Sequence, residues 1–533
     1  MAMKLVNRIG TYVSEGNQFR GLERKPFGEA GSFWDMENMS GEHWPVLKTR
    51  GKRRKVRTVE EFDGFFGHDG VGWIDKGKIY WNGTLVTTIT AGKKTIVEMG
   101  AQAVIFPDKY LFNMSTGDHG SLENKVEITN GTVTYTASDL LGYSADYRTA
   151  VYVKVSAAGL ADGFHEGDVA YLSGCQAIPE GFYQLYSVLE GNFVVLATMS
   201  QQTATESALT VTRDVPDMDY VTECDNRIWG CSSANHEIYC CALGDPYNWS
   251  KYQGLANDSY AATIGTPGDF TGAATHLGYV LFFKEDVIHK VFGNKPSNFQ
   301  VTTVHARGVE AGSAGSLCLM NETLYYKSRT GMVSYEGSLP SDIGDALGYR
   351  KYRNAVSGAN NGRMWVSMQE AKTNGTWDLF VYSGRTGYWY REDASQAEGF
   401  LSVGGSMYMA KGGAIWLLEG PGNQSIESGA EDEGTISWRA ETGDLDITNL
   451  YKRHLQKIQL RMRVTEGAAC EIQAQYDGGE WATLKTVSGK DDKKAVAVPI
   501  VPHRCDHMRI RLKGTGEVRL VELDYTVWAG SEL

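Results

Sequence analysis

The stretch Cys224–Tyr252, CDNRIWGCSSANHEIYCCALGDPYNWSKY, limits what the chain can fold into more than any other. Asp225-Asn226 can satisfy local backbone groups with its own side chains, so it makes a turn. From it Arg227-Ile228-Trp229 starts an apolar and aromatic strand. Ser232 to Asn235 makes a second turn and Glu237 to Cys241 runs back as a second strand. Gly244-Asp245-Pro246 ends it, because Pro lacks the N–H that a ladder needs. Strand, turn, strand, breaker and Trp is the pattern of one sheet of a β-propeller.

Similar units recur on both sides. Gly72-Trp73-Ile74 and Lys78-Ile79-Tyr80-Trp81 flank Asp75-Lys76-Gly77, and Asn82-Gly83 then predicts a type I′ hairpin into Thr84-Leu85-Val86. Ala103–Phe106 and Tyr110–Asn113 read as a half-finished unit around Pro107-Asp108. Further on come Gly278–Phe283 with Val287–Phe292, and Thr323–Lys327 with Met332–Tyr335. Arg363–Val366 pairs with Trp377–Tyr382, and Ser406–Met409 with Ala414–Leu418. The centres lie about forty to fifty residues apart, the period of propeller blades.

Composition agrees. The 533 residues include 62 Gly but 12 Pro, and aromatics reach 11%, which suits an all-β chain with many tight turns. That length implies two to four domains. The single helical expectation is Ser341–Arg353, capped by Ser341 or Asp342. Between residues 122 and 215 the texture changes to alternating strands such as Val151–Val155 and Phe193–Leu196, at the spacing of a small barrel. This predicts a β-domain inserted in a propeller loop, where the two ends stay close. Residues 419–435 read as a linker. Beyond them, six or so alternating strands predict a β-sandwich, with Arg509 and Arg511 on one solvated face. The expected order is an N-terminal arm (1–60), propeller (61–121), inserted β-domain (122–215), propeller (216–425) and C-terminal β-sandwich (426–533).

The arm holds the candidate contact residues. Phe33, Trp34, Met36 and Met39 want burial against something large, and Lys52, Arg53, Arg54 and Lys55 want acid or phosphate. The plainer reading is a solvated loop between two hydrophobic anchors. On the contact reading, changing the four basic residues to Ser weakens assembly and leaves the melting point nearly unchanged.

The net charge of −12 argues against a general nucleic-acid-binding surface. It leaves room for a surface that DNA slides past. The N-terminal MAMKLVNRIGTYVSEGNQ shows no secretory h-region, and no apolar run reaches the length of a membrane span. The eight cysteines include no CxxC pair, and adjacent Cys240 and Cys241 face opposite sides of a strand, so buried reduced thiols are expected.

No catalytic constellation stands out: no HExxH, no GxSxG, no GxxxxGK[ST], no zinc spacing among the eleven histidines. His43, His276 and His305 read as structural. A carboxylate pair for glycoside hydrolysis stays open. The nearest approach to a sialidase Asp-box, Ser383–Trp389, has Arg385 in place of the Asp and its Trp one residue early. Neither an enzyme nor a cofactor or metal site is expected.

The phrases Asp225–Trp229, Glu237–Cys240 and Leu243–Trp249 resemble the signature blade of the tail nozzle proteins of short-tailed bacteriophages, also called tail tubular B or packaged-DNA stabilisation proteins. Gly278–Phe292 resembles their following blade, and residues 33–54 are similar to the opening of related phage proteins. The resemblance implies a structural virion protein made in the host bacterial cytoplasm. It implies a homohexameric ring below the portal and tail adaptor, neighbouring tail fibres or spikes, with genomic DNA passing through the channel until ejection. Two other readings stay open: a tail-tip structural protein of a long-tailed phage, and a glycan-binding or glycan-cleaving propeller.

Overall fold

Extended backbone dominates the molecule. Helix among the described residues is confined to three 3-10 turns, Pro296–Asn298, Ala314–Ser316 and Asp345–Leu347. The computed structural model describes residues 11–16, 19–25, 29, 31–138, 149–373, 375–445, 451–490 and 492–532. The first ten residues of the expected arm lie outside them. The chain divides into two compact units, one of residues 1–62, 68–71 and 309–533, the other of 63–67 and 72–308.

The second unit carries four antiparallel sheets of four strands each, joined in chain order. They span Phe62–Phe66 to Thr84–Thr88, Thr95–Met99 to His119–Ser121, Tyr220–Cys224 to Tyr260–Thr263, and Gly272–His276 to Gln300–Val304. Their two-residue hairpins have the expected chemistry. Asn82-Gly83 and Asp225-Asn226 sit at φ 47° and 87°, and 51° and 60°, the left-handed backbone that lets a hairpin follow the strand twist. The unit that looked half-finished is complete: Thr95–Met99 pairs in front of Gln102–Phe106, and His119–Ser121 behind Tyr110–Asn113. The flanking strands were hidden because His119-Gly-Ser121 has no apolar alternation.

Residues 124–213 form a seven-stranded antiparallel sheet with its own apolar cluster, including Tyr135, Val153, Leu172, Phe193 and Leu209. Its two longest strands, Asn124–Ser138 and Thr203–Arg213, pair with each other and bring the ends of the insert together. Leu122 and Val215, just outside, belong to the cluster of the flanking sheets.

The first unit holds one further four-stranded sheet, Cys318–Met320 to Ser341–Asp342, and two larger ones. Tyr352–Asn360, Arg363–Glu370, Trp377–Ser383 and Trp389–Asp393 are extended by Gly21–Leu22 and Ser32–Phe33. Gly399–Val403, Ser406–Lys411 and Ala414–Glu419 are followed by Arg54–Thr58 and then Glu431–Asp432. Two more sheets share one apolar cluster, with Leu455 and Leu460 from one and Ile472 and Ile510 from the other. Met508, Ile510 and Leu512 point into it while Arg509 and Arg511 alternate outward. The whole is all-β, with many four-stranded antiparallel sheets, consistent with a β-propeller-like fold.

Three sequence expectations are corrected. Ser341–Arg353 is no helix: Ser341 pairs with Ser334 in a strand end, and Gly344 and Gly348 flank a single 3-10 turn before Tyr352 starts the next strand. Residues 419–435 are no free linker, since Ile426 is fully buried and Glu431 and Asp432 pair with Lys55 and Arg54. The described part of the arm is a set of short strands rather than an irregular extension.

Candidate assembly site

The N-terminal segment supplies strands to four sheets of the first unit. Leu22 pairs with Trp389, Asp35–Glu37 pairs with Ser437–Glu441, and Leu47 and Lys48 pair with Leu520 and Arg519. Arg54–Thr58 pairs with Ala414–Glu419. Phe33, Met36 and Met39 are 1% exposed or less, in the cluster that also holds Trp389, Trp438 and Leu520. Each such side chain contributes about 1.5–3 kcal/mol by leaving water. Their demand for burial is therefore met inside their own chain, which removes them as partner contacts. Trp34 is half-buried beneath the Arg509 guanidinium, 5.7 Å from its ring centre.

The basic run divides in the same way. Arg53 is buried, donating to Glu392 Oε2 at 2.5 Å and to Asp393 Oδ2 at 2.7 Å. Arg50, also buried, donates both guanidinium ends to Glu433 at 2.6 and 2.9 Å, and its Nε to Asn38 at 2.7 Å. Burial alone would raise the Asp393 carboxyl, but the Arg53 charge, the hydrogen bonds from Ser395 and Arg53, and the Lys411 charge together outweigh it and hold the carboxyl below the ordinary carboxylate range. Burial likewise opposes ionisation of Glu433, and its hydrogen bonds and ion pair with Arg50 lower it. Arg53 is thus a buried ion-pair residue, and a fourfold Ser variant that includes it is expected to lower the melting point rather than spare it. Lys52 is exposed, Lys55 half-buried, and Arg54 half-exposed on Asp432 at 2.9 Å. Of the candidate contact residues, these three and Trp34 remain available to a partner.

A second cluster went unread in the sequence although its residues were in view. Tyr247 and Asn248, in the phrase GDPYNW, hold the inserted sheet. Asn248 Oδ1 accepts the Val169 N–H at 2.7 Å, and its amide donates to Asp168 and Asp245. Asp168 is ion-paired to buried Arg213, whose guanidinium lies 4.7 Å from the Tyr247 ring centre. Trp249 Nε1 donates to Pro246 O at 2.8 Å and fixes the loop. A polar Asp-Asn pair seventy or more positions apart carries no periodicity by which sequence could reveal it.

The first unit also contains a cavity of about 840 Å3, walled by the Lys327–Met332 hairpin and the Leu347–Tyr352 loop, with Arg24 and Met368 beside them. Its Leu347–Tyr352 wall lies where the sequence predicts a helix.

All eight cysteines are buried and unpaired, and burial pushes Cys240 to about 12 and Cys224 to about 11, so their thiols stay protonated. Cys240 and Cys241 enter different apolar clusters, as opposite faces of a strand require. Among the described residues no group of three or more His, Cys, Asp and Glu is placed to hold a metal ion. No helix among them is long and apolar enough to cross a membrane, which says nothing of a β-barrel.

No family model and no curated protein matches the chain. Solved structures share features of its fold at low similarity. An exo-β-1,3-galactanase from Phanerochaete chrysosporium is 10% identical, with 56% of this chain and 94% of that one covered and a TM-score of 0.21. The extracellular domain of BT4673 from B. thetaiotaomicron is 10% identical, covering 90% of this chain and 63% of that one, at 0.33. AztD from Citrobacter koseri is 11% identical, covering 65% and 86%, at 0.27. Likenesses at this level support no assignment of function.

Proposed function

We propose that the chain is a structural virion protein of the tail-nozzle kind, a wall subunit of a ring through which packaged DNA is retained and then ejected. On this reading the four-stranded antiparallel sheets are propeller blades, with the inserted β-domain in one connection and a β-sandwich after them. The observation that supports it best is the position of Arg54–Thr58. This strand precedes the first four-stranded sheet in sequence and pairs with Ala414–Glu419 of the last. Such a pairing is what would close a propeller's ring of sheets and keep its edges from lying open. An all-β scaffold in which Arg50 and Arg53 are spent on internal ion pairs suits a channel wall. Its net charge of −12 disfavours a grip on phosphate.

A homohexamer beside portal, adaptor and fibre proteins is the assembly this role calls for, and a heterologous ring satisfies every subunit contact by closure. Trp34, Lys52, Arg54 and Lys55 are the remaining contact candidates. Mass measurement of the ring on assembled particles tests the proposal: six copies support it, and any other count contradicts it. Lys52→Glu with Lys55→Glu is expected to weaken assembly at least tenfold with the subunit's melting point unchanged.

A further inference from the structure

The edge strand of the inserted sheet presents a face that the insert's own core does not use. In Val169–Ser173 and Gly181–Gln184, the side chains of Ala170, Leu172 and Tyr183 pack on the apolar cluster. Alternation therefore puts Tyr171, Phe182 and Gln184 on the other face. Tyr171 and Phe182 are directly opposite, their rings edge to face at 5.0 Å, and Phe182 is 59% exposed. The Gln184 side-chain amide is bonded to that of Gln253, in the loop after Trp249. That loop is fixed from within. Asp258 accepts the Gln253 and Leu255 N–H groups at 2.5 and 2.9 Å, and Arg227 donates to Ala256 O and Asp258 O at 2.8 and 2.6 Å. Tyr252, next to Gln253, is nevertheless 60% exposed.

Two amides bonded once to each other keep a free donor on one residue and a free acceptor on the other, whichever way each is turned. Vicinal sugar hydroxyls, each able to donate and accept, complement that pair. The C–H face of a sugar ring, weakly positive, suits the negative face of an aromatic ring. The surrounding charges favour neither sign. Glu180 accepts the Gly174 N–H at 2.7 Å, Lys125 pairs with Glu127 at 3.1 Å, and Glu166 and Lys251 are opposite in charge. A nucleotide or an acidic glycan thus finds no excess of cations. A protein partner needs roughly 800 Å2 on each side, more than these few side chains supply. A pinned loop loses little freedom on binding. We propose that this face binds a neutral glycan, one sugar ring against Phe182 and Tyr171 and its hydroxyls on Gln184 and Gln253. The proposal stands apart from the ring reading, since it needs one subunit and no channel.

Titration of the full chain followed by ligand-observed NMR tests it. Maltohexaose, cellohexaose, galactohexaose and mannohexaose are the neutral probes, and hexagalacturonic acid is the charged one. At least one neutral probe is expected to bind at millimolar concentration or below, at least fivefold more tightly than the acid and independently of salt. Phe182→Ala and Gln253→Ala are each expected to weaken that binding at least fivefold with the melting point unchanged. Leu85→Ala, which trims an exposed side chain on another sheet, is expected to leave it unaltered. Failure of all four neutral probes to bind, tighter binding of the acid, unaltered affinity in either site variant, or an equal loss in Leu85→Ala overturns the proposal. Should Phe182→Ala fail to fold, Gln253→Ala decides alone, and unaltered affinity there overturns the proposal equally.

Discussion

The N-terminal segment and the inserted sheet are both additions to a series of hairpins, and the chain attaches them by opposite means. Among the described residues, the segment from Phe19 to Thr58 shows no cluster of its own. Phe19, Leu22, Phe33, Met36, Met39 and Leu47 all enter a cluster built mostly from residues three to five hundred positions away. Its strands are mostly two or three residues long and stand because each is paired to a partner strand. The inserted sheet encloses its own apolar cluster and is fastened by a small polar group, Asp168, Arg213, Tyr247 and Asn248. A segment that shares a core cannot be removed without opening that core. A sheet with its own core can be removed at the cost of its fastening.

Two deletions should break this symmetry most strongly. Removal of residues 1–49 is expected to abolish the cooperative melt of the first unit, read by thermal denaturation. Removal of 124–213 with a short Gly linker, keeping Leu122 and Val215, is expected to preserve a cooperative transition. Loss of that transition would mean the insert shares the core.

Single substitutions sharpen the comparison. Arg53→Ser leaves Glu392 and Asp393 without their main counter-charge, and is expected to cost about 3–5 kcal/mol in chemical denaturation. Lys52→Ser next to it is expected to stay within about 0.5 kcal/mol. Asp168→Ala leaves Arg213 buried and is expected to cost about 2–3 kcal/mol. Its effect should appear as faster amide exchange across 124–213, with the first unit unaffected.

A smaller effect concerns pH and lies outside both additions. His289, 1% exposed, is pushed down to about 4 by burial and by the neighbouring Lys284 charge, with its ring nitrogens on Thr266 and Thr303. A histidine held neutral in the fold but free to protonate when unfolded favours folding above its ordinary value near 6.5. That contribution fades as pH falls toward 4. Stability should therefore drop by about 2 kcal/mol from pH 7 to pH 5 through this group alone, and His289→Gln should flatten that slope.

How legible each region was follows from the same contrast. The hairpins could be read because Trp73, Tyr80, Trp229 and Ile238 alternate around Lys76-Gly77, Asn82-Gly83 and Asp225-Asn226, all local signals. The Met508–Leu512 alternation was equally local, and its apolar face is buried as expected, whereas Arg509 and Arg511 are partly buried on Asp444 and Glu441 rather than simply solvated. The segment's strands could not be read, because Asp35-Met36-Glu37 spans three residues and its partner begins at Ser437. The demand of Phe33, Met36 and Met39 for burial was legible; which surface meets it was not. Ser341–Arg353 misled because a capping Ser and scattered apolar residues resemble a helix start. Two glycines and a strand pairing with Ser334 decide otherwise. The Asp168–Asn248 fastening depends on polar side chains meeting across 80 positions, which no window of sequence contains.

Amide hydrogen exchange on the intact chain tests the central claim most directly. If the N-terminal segment is woven into the first unit, amides of Asp35–Glu37, Leu47–Thr49 and Arg54–Thr58 should exchange with the protection of their partners Ser437–Glu441, Val518–Glu532 and Ala414–Glu419. Exchange of the segment at the rate of an unstructured arm, with those partners still protected, would contradict it.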